Sequence, residues 1–290
     1  MLAGVSAERF LADWLERCPP EGDAFFGLSL GKAGGAMAKS LEDHLGARLI
    51  GGFAVTHALE AAQGLSSPWQ VHTGSHPRPD ESSLQAGQSM VEWIDGLPPD
   101  AVVLACLSGG ASAILERPRP GFSLSDFQSL LDQSFTEGWT IEILNQERAK
   151  RSLFKGGGLA KMLGNRLGAV YCLSDVEPGR LDLLGSGPFW TPETAGLHHI
   201  IADRAHVAHL VEEACHKAGL DPVFCGSLSK EISLWLKDDF QPAIASAQPD
   251  TACIWTGELT IPLGADPPPG GRCHEAAAWA STLMNPGQAC

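Results

Sequence analysis

No Cys-x-x-Cys pair occurs among the eight cysteines of this 290-residue chain, and a disulfide framework is not expected in a sequence of that length. Cys106 and Cys172 lie inside the apolar runs AVVLACLSGG and GAVYCLSDV, where a buried free thiol behaves as a small hydrophobe. A reducing, cytoplasmic setting is the expectation. No apolar run approaches the length of a membrane span. Residues 1–20 carry acidic side chains within an amphipathic helical pattern, so no signal peptide is expected. Basic residues are scarce as well: 20 Lys and Arg stand against 34 Asp and Glu, a formal net charge of -14. A surface of that sign repels nucleic acid and anionic membranes, which argues against both as partners. Any anionic ligand then needs a locally basic pocket, and the few cations near turns gain weight. The usual phosphate-loop and dinucleotide signatures, GxxxxGK[ST] and GxGxxG, are also missing.

What the chain has is apolar material, 44% of its residues, sufficient for one large domain or two modest ones. Residues 5–17 read as a helix with Phe10, Leu11, Trp14 and Leu15 on one face. AFFGLSL (24–30), RLIGGFAVTH (48–57), AVVLACL (101–107) and LGAVYCL (167–173) supply strands, three of them continuous apolar runs of the kind a strand covered on both faces requires. Helical patterns follow at 36–45, 82–94 and 139–152, and a capping box at Ser123–Asp126 opens another. The Pro-, Ser- and His-rich stretch 66–81 reads as loop. Strand, Gly/Ser turn and helix recur in that order at least three times. This predicts a three-layer, Rossmann-like α/β fold with a mostly parallel sheet. Past about residue 195 the texture changes to helices at 207–220 and 229–246, a strand or hairpin at 251–264 and a last helix after PPPGG. The expected division is 1–200 for the Rossmann-like domain and 201–290 for a helical connection leading to a smaller α/β domain.

In an open parallel sheet, ligands bind beyond the carboxyl ends of the strands. LGKAGG (30–35), LSGGAS (107–112) and LSDVEPG (173–179) all occupy that position. The first two set small residues ahead of a helix start, where N–H groups and the helix dipole attract anions, and Lys32 adds a positive charge. Such turns also occur merely as turns. RAKRSLFKGGGLAK (148–161) concentrates five basic residues in an acidic chain. It is either a solvated helix end or an anion site in which Gly156–Gly158 thin the backbone beside Lys155. Asp175, at a strand end, suits a Mg²⁺ ligand, a general base or a helix cap. His206, His209 and His216 fall on the polar face of one helix beside Glu212 and Glu213, a solvent-facing pattern rather than a zinc site. Of His57, His72 and His76, only His76 lies in a segment with a functional look.

Six segments, taken in order, resemble the motifs of the type II glycerate kinases. GKAGGAMA (31–38) is similar to GKAxxMA, SHPRPDESSLQAG (75–87) to GHPxPDxxSxxAG, and LSGGASAILERPRPG (107–121) to LxSGGxSALLxxPxxG. NQERAKRSLFKGGGLA (145–160) resembles NxVRKHLSxIKGGxLA, and LSDVEPGRLDLLGSGP (173–188) resembles LSDVxGDDxxxIxSGP. TGELTIPLG…GGRCHE (256–275) resembles GGExTVxxxG…GGRNxE, the start of that family's second, MOFRL domain.

The resemblance implies ATP- and Mg²⁺-dependent phosphorylation of D-glycerate, or a close hydroxy acid, to 2-phosphoglycerate. It implies a small-molecule substrate and a nucleotide as partners, with a homodimer as an assembly open to the chain. The family's functional lysine maps to Lys32 and its arginine to Arg272, to stabilise the transferring phosphoryl group or orient the glycerate carboxylate. Asp175 maps to the metal. Ser108, Gly109 and Gly110, whose amides would cradle an anion, map to substrate or phosphate binding together with Asp80, Arg148, Lys155, Gly156 and Glu258. The chain departs from the pattern at Arg180, where an acid is usual, at Gly158, at Thr256 and at Cys273-His274. The TDGxDG-type segment does not appear, and an abbreviated C-terminal domain is the expectation. Rival readings are a paralogue that binds a small anion without turnover and, from another label within the family, a hydroxypyruvate reductase.

Overall fold

The computed structural model describes residues 6–66, 69–261 and 271–284. These fall into two units, one ending at Asp203 and the other starting at Arg204.

In the first unit the elements follow as α1 (Ala7–Arg17), β1 (Phe25–Leu30), α2 (Gly34–Leu45), β2 (Leu49–Thr56), β3 (Trp69–Thr73), α3 (Glu81–Asp95), β4 (Val103–Ser108) and α4 (Ala111–Ile114). Then come α5 (Leu124–Thr136), α6 (Ile141–Arg151), α7 (Gly158–Leu163), β5 (Leu167–Leu173) and β6 (His198–Ala202). The six strands form one sheet in the order β3-β2-β1-β4-β5-β6, and each neighbouring pair is parallel. Alternate residues explain the continuous apolar runs. Leu28, Leu30, Val103, Ala105, Leu107, Val170 and Cys172 pack on one face with Met90 and Ile94 of α3 and Leu159 of α7. Phe25, Leu104, Cys106, Ala169 and Tyr171 pack on the other with Leu11 and Leu15 of α1 and Met37 and Leu41 of α2. Both faces are covered, so the strands cannot alternate apolar with polar. The fold is the expected three-layer α/β arrangement.

Two strands of this sheet differ from the sequence expectation. The segment 66–81 is not all loop: Trp69–Thr73 forms the edge strand β3, paired with β2 from Gly52↔Trp69 to Thr56↔Thr73. Its indole covers β1 and β2 where Gly27 and Gly52 leave space, each within 2.4 Å of the position a Cβ would take. His198 and His199 belong to β6, with His199 beside Tyr171 and Trp14 at ring-centroid distances of 5.8 and 5.5 Å. Both edge strands owe their conformation to a neighbour distant in sequence, which local composition does not record.

The second unit contains α8 (Arg204–Lys217), β7 (Asp221–Leu228), α9 (Ile232–Trp235), a π turn at Leu236–Phe240, α10 (Gln241–Ser246), β8 (Thr251–Gly257) and α11 (Arg272–Thr282). β7, which the sequence reading had not placed, pairs in parallel with β8. Ile232, Trp235, Phe240, Leu259, Ala276 and Ala280 form its core. Residues 267–270 of the PPPGG segment and residues 262–264 of the expected strand lie outside the described residues. No helix among the described residues is long and apolar enough to cross a membrane.

Candidate functional site

Strand order reverses between β1 and β4, so a crevice is expected beyond their carboxyl ends. Two turns leave the sheet at that point and are bonded to each other. Lys32 N donates to Gly109 O at 2.9 Å, Ala33 N to Ser108 Oγ at 3.1 Å, and Ser108 Oγ to Leu30 O at 3.4 Å. Gly31 has φ 121°, and a Cβ on it would stand 2.2 Å from Ser108 Oγ; only glycine lets the turns approach this closely.

Gly110 is also left-handed, with φ 86°, and a Cβ there would lie 2.9 Å from Lys32 Cγ and 3.2 Å from His76 Cδ2. At Gly109 the corresponding position is 2.3 Å from Asp175 Oδ2. The loops after β1, β3 and β5 therefore bring an ammonium, an imidazole and a carboxylate to one Ser-Gly-Gly turn. Lys32, His76 and Asp175 are all solvent-exposed. His76 carried no role in the sequence reading, because without β3 its loop had no fixed place in the sheet. Its signal was the SHPRPD motif.

The expected anion cradle needs correction in two respects. α4 is only four residues long, too short for a large dipole, whereas α2 has twelve. Ser108 is buried and its hydroxyl joins the two turns, so it positions them rather than reaching a ligand.

Lys155 also requires correction. Its ammonium, 3% exposed, is bonded to Glu116, which is itself fully buried. The second oxygen of Glu116 accepts from Ser152 Oγ at 2.5 Å and Arg117 N at 2.9 Å, and Phe127 lies under the ammonium at 5.8 Å. Burial pushes the Lys155 pKa below the lysine range, with Glu116 opposing. Arg148 is nearby; burial pushes it down to about 10, again against Glu116. The anion beside Lys155 is thus the protein's own carboxylate. Gly156 and Gly157 hold the following loop, donating to Ser186 O at 3.0 Å and Gly187 O at 2.7 Å. Ser186 is a left-handed non-glycine residue with φ 63°, and its hydroxyl bonds Asn145 Oδ1 at 2.8 Å and Ser112 Oγ at 2.6 Å. This chain of bonds runs from the triple-glycine turn to Ser112, on the helix that follows Gly110.

Asp80 caps α3. Its carboxylate accepts from the Ser82 hydroxyl and from the amides of Ser82 and Ser83 at 2.9 and 3.3 Å. The Ser82 hydroxyl is the main cause, with the amides, of a pKa below the usual carboxylate range. A depressed carboxyl contributes stability above its unfolded pKa of ~3.9 and loses it as pH falls through the folded value. Asp80→Ala is expected to destabilise by about 1 kcal/mol at neutral pH. In urea titrations that difference should narrow as pH falls through the folded pKa; a pH-independent difference would deny the cap its charge.

In the second unit, Glu258 follows β8 and Arg272 opens α11. Arg272 Nη1 lies 3.2 Å from Glu258 Oε2, with both side chains more than half exposed. An open groove of about 800 Å³ beside Arg117, Arg119 and Phe122 includes none of the predicted site residues. Among the described residues, no three His, Cys, Asp or Glu side chains gather as a metal cage.

Residues 4–218 match the family model described as a domain of unknown function, DUF4147. A D-glycerate 2-kinase of Thermotoga maritima is 34% identical over 163 residues, covering 56% of this chain and 39% of that enzyme. A human glycerate kinase is 30% identical over 192 residues, covering 62% of this chain and 36% of the human protein. The chain spans about two fifths or less of the length of these curated relatives. A crystal structure of a Thermotoga maritima glycerate kinase superposes with a TM-score of 0.79 at 23% identity, over 98% of this chain and 77% of the other. At that identity the likeness concerns the fold.

Proposed function

The chain belongs to the DUF4147 family, that of the type II glycerate kinases, and from that premise we propose that it phosphorylates D-glycerate, or a close hydroxy acid, to 2-phosphoglycerate at the expense of ATP. The observation that carries the reading is the convergence of Lys32 and Asp175 on the Ser-Gly-Gly turn at the switch point of the sheet. Phosphoryl transfer asks little covalent chemistry of a protein; it asks for placed charge around the transferring group. Lys32 would meet the developing negative charge on the equatorial phosphoryl oxygens. Asp175 would hold Mg²⁺ brought in with the nucleotide, the ion supplying further charge neutralisation. Gly110 leaves the volume in which the reacting oxygen can approach. Within the second unit, Arg272 is proposed as a cation for an anionic group, with Glu258 fixing its guanidinium. Arg148 and Gly156 are proposed as supports of the site rather than ligand contacts. A cytoplasmic location accompanies this reading.

A coupled assay for ADP tests it. Release that requires both D-glycerate and Mg²⁺ is the expected result. Glycerate binding without ADP release would replace the kinase by an anion-binding paralogue, and NADH oxidation with hydroxypyruvate would replace it by a reductase.

A further inference from the structure

The substrate hydroxyl must lose its proton as it attacks phosphorus, and the proposed roles of Lys32 and Asp175 leave no acceptor for it. A lysine ammonium is a donor without a lone pair, and a metal-bound carboxylate is already committed. His76 borders the same turn. Its Cδ2 and the Lys32 side chain border the same point above Gly110, 3.2 Å from one and 2.9 Å from the other. The two groups are therefore no farther apart there than those two lengths together.

The loop that carries His76 is pinned along its length. Gly74 N donates to Thr56 O at 3.0 Å, Ser75 N to Ser83 Oγ at 3.2 Å, and Gln128 Nε2 of α5 to Pro79 O at 3.1 Å. Arg78, two residues on, is bonded to Asp132 of the same helix. A general base works only when held within hydrogen-bond reach of its proton, and a loop tied to β2, α3 and α5 holds it so.

Resting on the kinase reading, we propose that His76 is the general base of the reaction. As the substrate oxygen forms its bond to the γ-phosphorus, the hydroxyl proton passes to the imidazole nitrogen. The bond from phosphorus to the bridging oxygen breaks, ADP leaves with that electron pair, and the imidazolium returns its proton to solvent. The charged groups at the same turn are Lys32, beside Gly110 with the imidazole, and Asp175, against the adjacent Gly109. On its own loop, Arg78 is neutralised by Asp132 and Asp80 is engaged as a cap. The turn after β4 contributes no charge.

The test is the pH profile of kcat/KM for D-glycerate, over about pH 5–9 where a histidine titrates, in the wild type and in His76→Gln. The wild type should lose activity on the acid side of that range. His76→Gln should be ~10²- to 10⁴-fold slower in kcat, with KM for D-glycerate little changed, the melting temperature unmoved and the acid limb gone. Recovery of part of that rate by added imidazole would confirm the missing base. A variant that keeps both its rate and its acid limb overturns the assignment while leaving the kinase intact. A wild type that never releases ADP removes the kinase reading, and the base with it.

Discussion

Lys32→Ala is expected to lower D-glycerate-dependent ADP formation by about 10³-fold, the scale set by removing a preorganised charge from a transferring phosphoryl group. The melting temperature should not follow. Lys32 is exposed, its side chain fills no core position, and the turn that holds it is fixed by its backbone, through Gly109 O and Ser108 Oγ. The loss should appear in kcat more than in KM, because the charge it answers grows only as the bond to ADP breaks. Lys32→Arg should restore little, since the guanidinium is broader and Gly110 already lies in contact with the lysine stem. Unimpaired turnover in Lys32→Ala would remove this residue from the site and with it the observation on which the function rests.

The sheet was legible wherever burial on both faces left an apolar run: β1, β4 and β5 were placed within two residues of their ends. The edge strands β3 and β6 were not, because Trp69–Thr73 and His198–Ala202 carry Gln, His and Thr that suit a surface loop equally well. Glycine patterns marked turns where backbones approach closely. GKAGG and SGG are the two turns at the switch point, and their glycines answer real contacts at Gly31 and Gly110. Charge patterns were less faithful. Lys155, beside three glycines, has the local appearance of an anion ligand, yet its partner Glu116 lies thirty-nine positions away. A pairing of that kind becomes visible only when α4 and the 152–158 turn are packed together. Sequence shows that a cation is present; burial decides what it faces. His76 is the converse case, a histidine in a motif of functional look whose place beside Gly110 is visible only once β3 is formed.

The Glu116–Lys155 pair carries the second large effect, this time on stability. Glu116→Ala removes a carboxylate that accepts from three donors and leaves Lys155 enclosed with Arg148 close by. Breaking a buried pair from one side costs about 3–5 kcal/mol, because the surviving ammonium keeps only a long bond to Leu115 O at 3.5 Å. In a unit of this size that corresponds to a fall of roughly 10 °C in melting temperature. Lys155→Met alone should fare similarly, stranding the carboxylate, though Ser152 and the Arg117 amide would still solvate it in part. The double variant Glu116→Leu/Lys155→Met should recover most of the loss, since desolvating both charges offsets much of their mutual attraction. Differential scanning calorimetry on the three variants separates the terms. Were Glu116→Ala to melt within about 2 °C of the wild type, a shift worth less than ~1 kcal/mol, the ammonium would have to reach water by some opening. Lys155 would then regain its claim as an anion ligand.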